Sequence, residues 1–287
     1  RIADIRRRQD PAAALKLFEE SLAISRRLAV REPENTEFQR DVRIGLERIA
    51  DIRRRQDPAA ALKLFEESLA ISRRLAVREP GNIELQRDVG IGLDRIAGIR
   101  RRQDPAAALK LFEESLEISR RLAEREPDNT EFQHDVGIGL DRIADIRLGE
   151  DPAAALKLFE ESLEISRRLA EKEPENTKLQ RGIGIGLARI ADIRLRQDPV
   201  AALKLYEESL EIGKRLAERE DSIQTATDLV VGHYKISTAV TGAARRKALQ
   251  QALDMALQLE KAGHLTADQA DWPDLFRQEL GKAEDSE

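Results

Sequence analysis

Apolar residues recur along this chain with two superimposed periods. The short one is helical: Ala61, Leu62, Phe65, Leu69 and Ala76 fall on one face of a 3.6-residue repeat. The long one is 47 residues, because Arg-Ile-Ala-(Asp/Gly)-Ile-Arg begins at Arg1, Arg48, Arg95, Arg142 and Arg189. A fixed period of this size is the signature of a stacked-repeat architecture. The first two units agree at 42 of 47 positions, which marks recent duplication.

Each unit carries its own stop and start signals. Asp57-Pro58 reads as an N-cap followed by a proline that loses no useful N–H, and Pro80 lacks the donor a continuing helix needs. Together they bound one helix, B. The other, A, opens near Asn82 and runs through Val89, Leu93, Ile96 and Ile99 to Gln103. Thr36 with Gln39, and Thr130 with Gln133, predict capping boxes at its start. Two helices of about 20 residues, each about 30 Å long, joined by tight turns, predict antiparallel pairing. Small residues mark the contact: Ala50, Ala97, Ala144 and Ala191 in helix A, and Ala61 and Ser68 in helix B. Gly45, Gly92, Gly139 and Gly186 recur at one slot of helix A and predict close approach of a neighbour. Phe18, Phe65, Phe112, Phe159 and Tyr206 fill the space between layers.

The unit resembles the tetratricopeptide repeat, W-x₂-L-G-x₂-Y…A-x₃-F…P over 34 residues. Leu46, Ile49 and Ala50 stand in the W, L and G slots, Ala61-x₃-Phe65 matches A-x₃-F, and Pro80 matches the closing proline. Arg53 occupies the Tyr slot, and each helix is about two turns longer than the pattern. Lengthened units of this kind resemble bacterial arrays carried at the C-terminal end of larger signalling or defence proteins. The resemblance implies an all-α fold, an α-solenoid in which antiparallel helix pairs form a right-handed superhelix. The expected organisation is five tandem repeats over 1–220, the first truncated in helix A, then a degenerate sixth over 221–262. Asp228–Ser237 there aligns with Asp41–Ala50, and a helix near Ala243–Lys261 is its expected partner. A capping helix and frayed tail fill 263–287, opened by a capping box at Thr266 and Gln269 with Trp272 as packing anchor. Arg1–Gln9 reads as the last third of a helix A, so the front of the array is expected to be uncapped and something to precede it.

Composition agrees with long amphipathic helices: 41% of the 287 residues are apolar, 36% charged and only 3% aromatic. The net charge of −5 gives no basic footprint of a nucleic-acid binder. No cysteine is present, which removes disulfides, thiolate metal sites and cysteine nucleophiles and fits a reducing, cytoplasmic setting. No apolar run is long enough to span a membrane.

Chemistry is hard to find. His134 takes a slot held elsewhere by Arg40 and Arg87, His233 replaces a core leucine and is expected to be hydrogen-bonded, and His264 lies in a loop. Gly182-Ile-Gly-Ile-Gly186 lacks the spacing and the preceding strand of a dinucleotide loop and falls inside a helix A. Carboxylate pairs such as Glu19-Glu20 and Glu66-Glu67 repeat identically on an exposed face, without the asymmetry acid–base catalysis needs. The recurring serines, Ser21 to Ser209, have no triad partners. No catalytic, cofactor or metal site is expected, and no enzyme activity. Arginine runs at Arg6–Arg8, Arg53–Arg55 and Arg100–Arg102 are interrupted at Leu148-Gly149 and have no interleaved aromatics, which argues against nucleic acid. Asp51 is expected to pair with Arg55 and Arg48 in its own helix.

In the family that the repeat resembles, helix A lines a concave groove along which peptides lie. The stripe opposite Ile49 and Ile52 is Glu47, Asp51 and Arg54, with Arg55 beside it. Its equivalents are Asp94, Gly98, Arg101 and Arg102, then Asp141, Asp145, Leu148 and Gly149, then Ala188, Asp192, Leu195 and Arg196. The family's clamp for a C-terminal carboxylate uses Lys and Asn on this surface, and neither occurs in the stripe. The expected role is a scaffold that binds a protein or peptide. The alternatives are self-association through the uncapped front, or service as the regulatory tail of an upstream effector domain.

Overall fold

The helix punctuation read from the sequence is realised as twelve α-helices among the described residues. The structure is a computed structural model, and it describes residues 10–220 and 222–284. The helices are α1 (Pro11–Arg31), α2 (Thr36–Arg53), α3 (Pro58–Arg78), α4 (Ile83–Arg100), α5 (Pro105–Arg125) and α6 (Thr130–Arg147). They continue with α7 (Pro152–Lys172), α8 (Thr177–Arg194), α9 (Pro199–Arg219), α10 (Ile223–Ala239), α11 (Gly242–Lys261) and α12 (Trp272–Glu284). The expectations for Arg1–Gln9 and Arg6–Arg8, and for the last three residues of the tail, lie outside the described residues.

Each Asp-Pro start works as its chemistry predicts. Asp10, Asp57, Asp104, Asp151 and Asp198 each accept from the backbone N–H three residues on, at 2.9 Å. The A helices depart from expectation. Their N-cap is asparagine, not the threonine of a capping box: Asn35 accepts from the N–H of Glu37 and Phe38, and Asn82 from that of Leu85. Thr36 is instead the first helical residue, and its hydroxyl donates to Glu79 at the end of α3 at 3.0 Å. Gln39 donates to the carbonyl of Pro33. The asparagine also donates to Glu32, Glu79, Glu126 or Glu173 at the end of the preceding helix, which locks the turn. A capping box does form at Thr266, whose N–H is met by Gln269 ahead of a short 3₁₀ turn.

Two compact units divide the chain, residues 1–146 and 147–287. In the first, α1 to α5 pack in sequence order, and α6 lies against α5. Alternating helices contribute Ala14, Phe18, Leu22, Leu46, Ile49, Ile71 and Leu75 to one continuous core. In the second, α7 to α12 likewise pack each on the next. Phe65, Phe112, Phe159 and Tyr206 are all but fully buried, as inter-layer fillers must be.

The glycine slot of helix A records how close the pairs come. A methyl group added at Gly45, Gly92 or Gly139 would stand 3.1–3.2 Å from the Cδ1 of Leu22, Leu69 or Leu116. A methyl group at Gly232 of α10 would likewise stand 2.9 Å from the Cδ1 of Leu210. The midhelix glycines at 182, 184 and 186 lie inside α8, as the register predicts.

The last helices close on an aromatic cluster. Phe276 lies 5.2 Å from Tyr234 and 6.3 Å from Trp272, ring centroid to ring centroid, over a base of Val230, Ala252 and Ala256. Trp272 is thus a packing residue. Gly263, at φ +69°, ends α11 in a Schellman turn: the N–H of His264 reaches the carbonyl of Leu259, and that of Gly263 reaches Glu260. α12 then continues to Glu284.

Two glycines six residues apart in α4 should respond oppositely to substitution. Gly92→Val drives a branched side chain into Leu69 and should cost about 1–3 kcal/mol. Gly98→Ala enters open space and should gain up to about 1 kcal/mol of helix propensity. Guanidinium titration of both variants reads the two signs directly.

Candidate binding surface

The arginine that opens each Arg-Ile-Ala segment lies over the aromatic residue of the B helix before it. The guanidinium of Arg48 is 5.4 Å from the centroid of Phe18, Arg95 is 5.5 Å from Phe65, Arg142 is 5.6 Å from Phe112, and Arg189 is 5.2 Å from Phe159. The same head groups reach the carboxylates of the preceding A helix. Arg95 is 3.4 Å from Glu47 and 3.5 Å from Asp51, and Arg142 pairs with Asp94. Three successive helices are joined through one side chain.

This places the acidic half of the predicted stripe between repeats. Glu47 is only 9% exposed; besides Arg95 it accepts from Arg43 at 2.7 Å and from the Ser68 hydroxyl at 3.0 Å. Arg43, itself 6% exposed, bridges on to Asp88 at 3.0 Å. Asp51 pairs with Arg95 across the layer rather than with Arg55 in its own helix. A helix-surface spacing rule sees only neighbours within one helix, and a residue 44 positions away becomes the nearer cation once layers stack. Asp141 and Asp145 are likewise half-buried, and Asp145 meets Arg101 at 3.5 Å. Burial pushes the carboxyls of Asp88 and Asp94 above the usual range, against the pull of Arg43 and Arg142 respectively.

The fifth layer is built differently. Ala188 stands where the other repeats have Glu or Asp, Lys235 takes the arginine slot, and Tyr206 replaces phenylalanine. Lys235 holds Asp192 at 2.8 Å, and the Tyr206 hydroxyl donates to Asp192 at 2.5 Å. Burial first, and then the Asp192 carboxylate, raise the phenol's pKa. Beside this group, α8, α9 and α10 enclose a cavity of about 120 Å³, walled by Gly184, Ala188, Gly213, Gly232, Leu210 and Val231. Ile185, 46% exposed, stands at its rim.

The basic half of the stripe stays outside. Arg54, Arg55, Arg101, Arg102 and Arg196 are exposed, and Leu148 is 38% exposed. The carboxylate pairs of helix B are not merely solvated. Glu19, Glu66 and Glu160 take Arg53, Arg100 and Arg194 at 2.6–2.7 Å, so the arginine in the family's Tyr slot has an ionic partner. Glu67, Glu114 and Glu208 take Arg26, Arg73 and Arg167 of the preceding B helix. All are surface pairs, each worth at most about 1 kcal/mol.

Reasoning from sequence did not find Arg43, Asp88, Arg95 or Arg142, nor the links from Arg87 to Asp135 (2.7 Å) and Arg181 to Asp228 (3.1 Å). The signal was present: complementary charges recur one repeat apart. The serines singled out as small residues also bond, Ser115 to the carbonyl of Gly90 and Ser209 to that of Gly184. His134 and His264 are exposed. His233 is buried, which lowers its pKa, and its ring makes no hydrogen bond among the described residues, contrary to expectation. Among the described residues no group of three or more His, Asp or Glu is placed to hold a metal ion, and no helix is long and apolar enough to cross a membrane.

The burial difference along the stripe predicts unequal costs. Glu47→Gln leaves the Arg43–Asp88–Arg95 cluster short of a charge and should cost about 2 kcal/mol, whereas Asp51→Asn should cost below about 1 kcal/mol. Denaturant midpoints of the two variants provide the check.

No family model matches the chain, and no curated protein does either. Solved structures do. A crystal structure of BtubC from P. vanneervenii superposes with a TM-score of 0.61 at 16% identity, covering 86% of this chain and 91% of that one. The S. pombe nuclear import adaptor Nro1 gives 0.58 at 12% identity, over 96% and 95% of the two chains. The apo form of RapI gives 0.58 at 14% identity, over 97% and 73%. At these identities the likeness is one of fold, and the fold it shows is an all-α solenoid of tetratricopeptide-like helix pairs.

Proposed function

We propose that the chain is a non-catalytic scaffold that binds a protein or peptide segment along the surface presented by its A helices. Five 47-residue repeats, a degenerate sixth and a capping helix make up the array in this reading. The observation that carries it is the division of labour along the stripe. Its inner carboxylates are consumed by contacts between repeats, while its outer positions change from repeat to repeat: Arg54, Arg101 and Leu148 are exposed, and Leu195 is half-buried against Tyr206 and Ala191. Exposed Ile185 on α8 and Leu148 in the turn that follows α6 offer apolar anchors flanked by charge, the mixture typical of interaction surfaces. The neighbour described as a nuclear import adaptor supports an adaptor-like role for this fold.

The test compares two variants as baits. One carries Leu148→Asp with Ile185→Asp on the A-helix side; the other carries Val30→Asp with Val77→Asp, which are 79% exposed on the B helices. Specific partners captured by the unmodified chain should be lost from the first bait and kept by the second, with circular dichroism confirming both folds. Capture that survives the A-helix changes, or that fails only with the B-helix changes, overturns the reading.

A further inference from the structure

Within the first compact unit the ends of α2 and α4 open on a cavity of about 450 Å³ with an unusual charge balance. Six arginines line it, Arg54, Arg55, Arg95, Arg101, Arg102 and Arg142, against one acidic residue, Asp94. Arg54, Arg55 and Arg102 form no ion pair with any described residue. The Nη1 atoms of Arg95 and Arg142 are shut off from water, each against a carboxylate. An arginine at a helix C-terminus compensates the dipole there, which accounts for one per helix and not for six around one cavity.

The charge surplus has a specific origin. The slot filled by Asp51, Asp145 and Asp192 in other repeats holds Gly98 in this one. Where the aspartate is present it faces the cation of the next A helix: Asp51 lies 3.5 Å from Arg95, and Asp192 2.8 Å from Lys235. At Gly98 that carboxylate is missing, nothing stands within 4 Å of where its Cβ would be, and Arg142 is left with Asp94 alone. Arg95 and Arg101 have their carboxylates in Glu47, Asp51 and Asp145, so the open space at Gly98 shares its cavity with three unpaired cations, Arg54, Arg55 and Arg102.

We infer that this cavity binds side-chain carboxylates of an acidic protein segment, an occupant that supplies from outside what Gly98 removes. This rests on reading the A-helix surface as protein-binding. Guanidinium forks are matched in geometry to carboxylates and hold them bidentately. Single-stranded nucleic acid fits less well, because it needs exposed aromatic faces for its bases. The two phenylalanines here, Phe65 and Phe112, are 1% and 2% exposed and already covered by Arg95 and Arg142.

Fluorescence anisotropy of a labelled oligo-glutamate peptide tests the assignment, with labelled oligo-uridylate as competitor class. The chain should bind the peptide with an affinity that falls as salt rises. Gly98→Asp, which restores the aspartate of the other repeats in open space, should weaken it about tenfold. Gly98→Asn, equal in size and uncharged, should leave it within about twofold, and thermal melts should show both variants folded. Equal affinity across the three chains overturns the inference, as does oligo-uridylate binding more tightly than the peptide and being the ligand that Gly98→Asp expels. If the peptide ignores residue 98 while partner capture still depends on Leu148 and Ile185, the cavity fails and the scaffold reading stands. If capture ignores Leu148 and Ile185 while Gly98→Asp still releases the peptide, the reverse holds.

Discussion

A guanidinium laid over a buried ring, with its hydrogen-bonding edge turned to the carboxylates of the repeat before, is the contact on which the stacking of layers depends. Arg95 touches Phe65 on α3 and Glu47 on α2 while belonging to α4, so one side chain sets the spacing of three helices. An arginine suits this place because it is apolar enough across its plane to cover a ring and forked enough at its edge to satisfy two acids. The apolar core supplies most of the stability, as in any solenoid whose units bury their faces only against neighbours. Leu and Ile contacts alone would tolerate sliding. The ring, the cation and the acid together fix register.

That contact also explains the chemistry left on the surface. Because the acidic slots are turned inward to meet the next arginine, the exposed edge of the A helices is basic in the first unit even though the chain as a whole is acidic. Where a slot changes, the surface changes with it. Losing the aspartate at Gly98 leaves surplus cation; losing the carboxylate at Ala188 leaves an apolar hollow beside Tyr206. Small substitutions in the inter-layer contact thereby alter which ligand chemistry a given repeat can meet, without altering the helices that carry it.

Much of the architecture was legible in the chain. The period, the Asp-Pro starts, the glycine slot and the aromatic filler all rest on local rules, namely proline's missing donor, the short reach of a cap and the width of a missing Cβ. The errors were also physical. The threonine assigned as N-cap proved to be the residue after it, because Asn35 can both accept from the helix and donate to Glu32, and threonine's single hydroxyl was better used on Glu79 at the end of α3. The stripe was read as the lining of a groove, and helical spacing could not show that Glu47 and Asp51 meet Arg95 of the next A helix, because it gives the face of a residue and not what lies against it.

The sequence by itself determined the helices, their order, their antiparallel pairing and the positions at which they must come close, since each follows from forces acting within one unit. Only the tertiary structure decided which charges are spent and which remain available. Coulomb partners 41 to 48 residues apart are brought within 4 Å by stacking alone, and a carboxylate's environment depends on the neighbour that stacking delivers. The recurring Arg-Ile-Ala that announced the repeat was the clamp between layers all along, and no rule confined to one helix could have shown it.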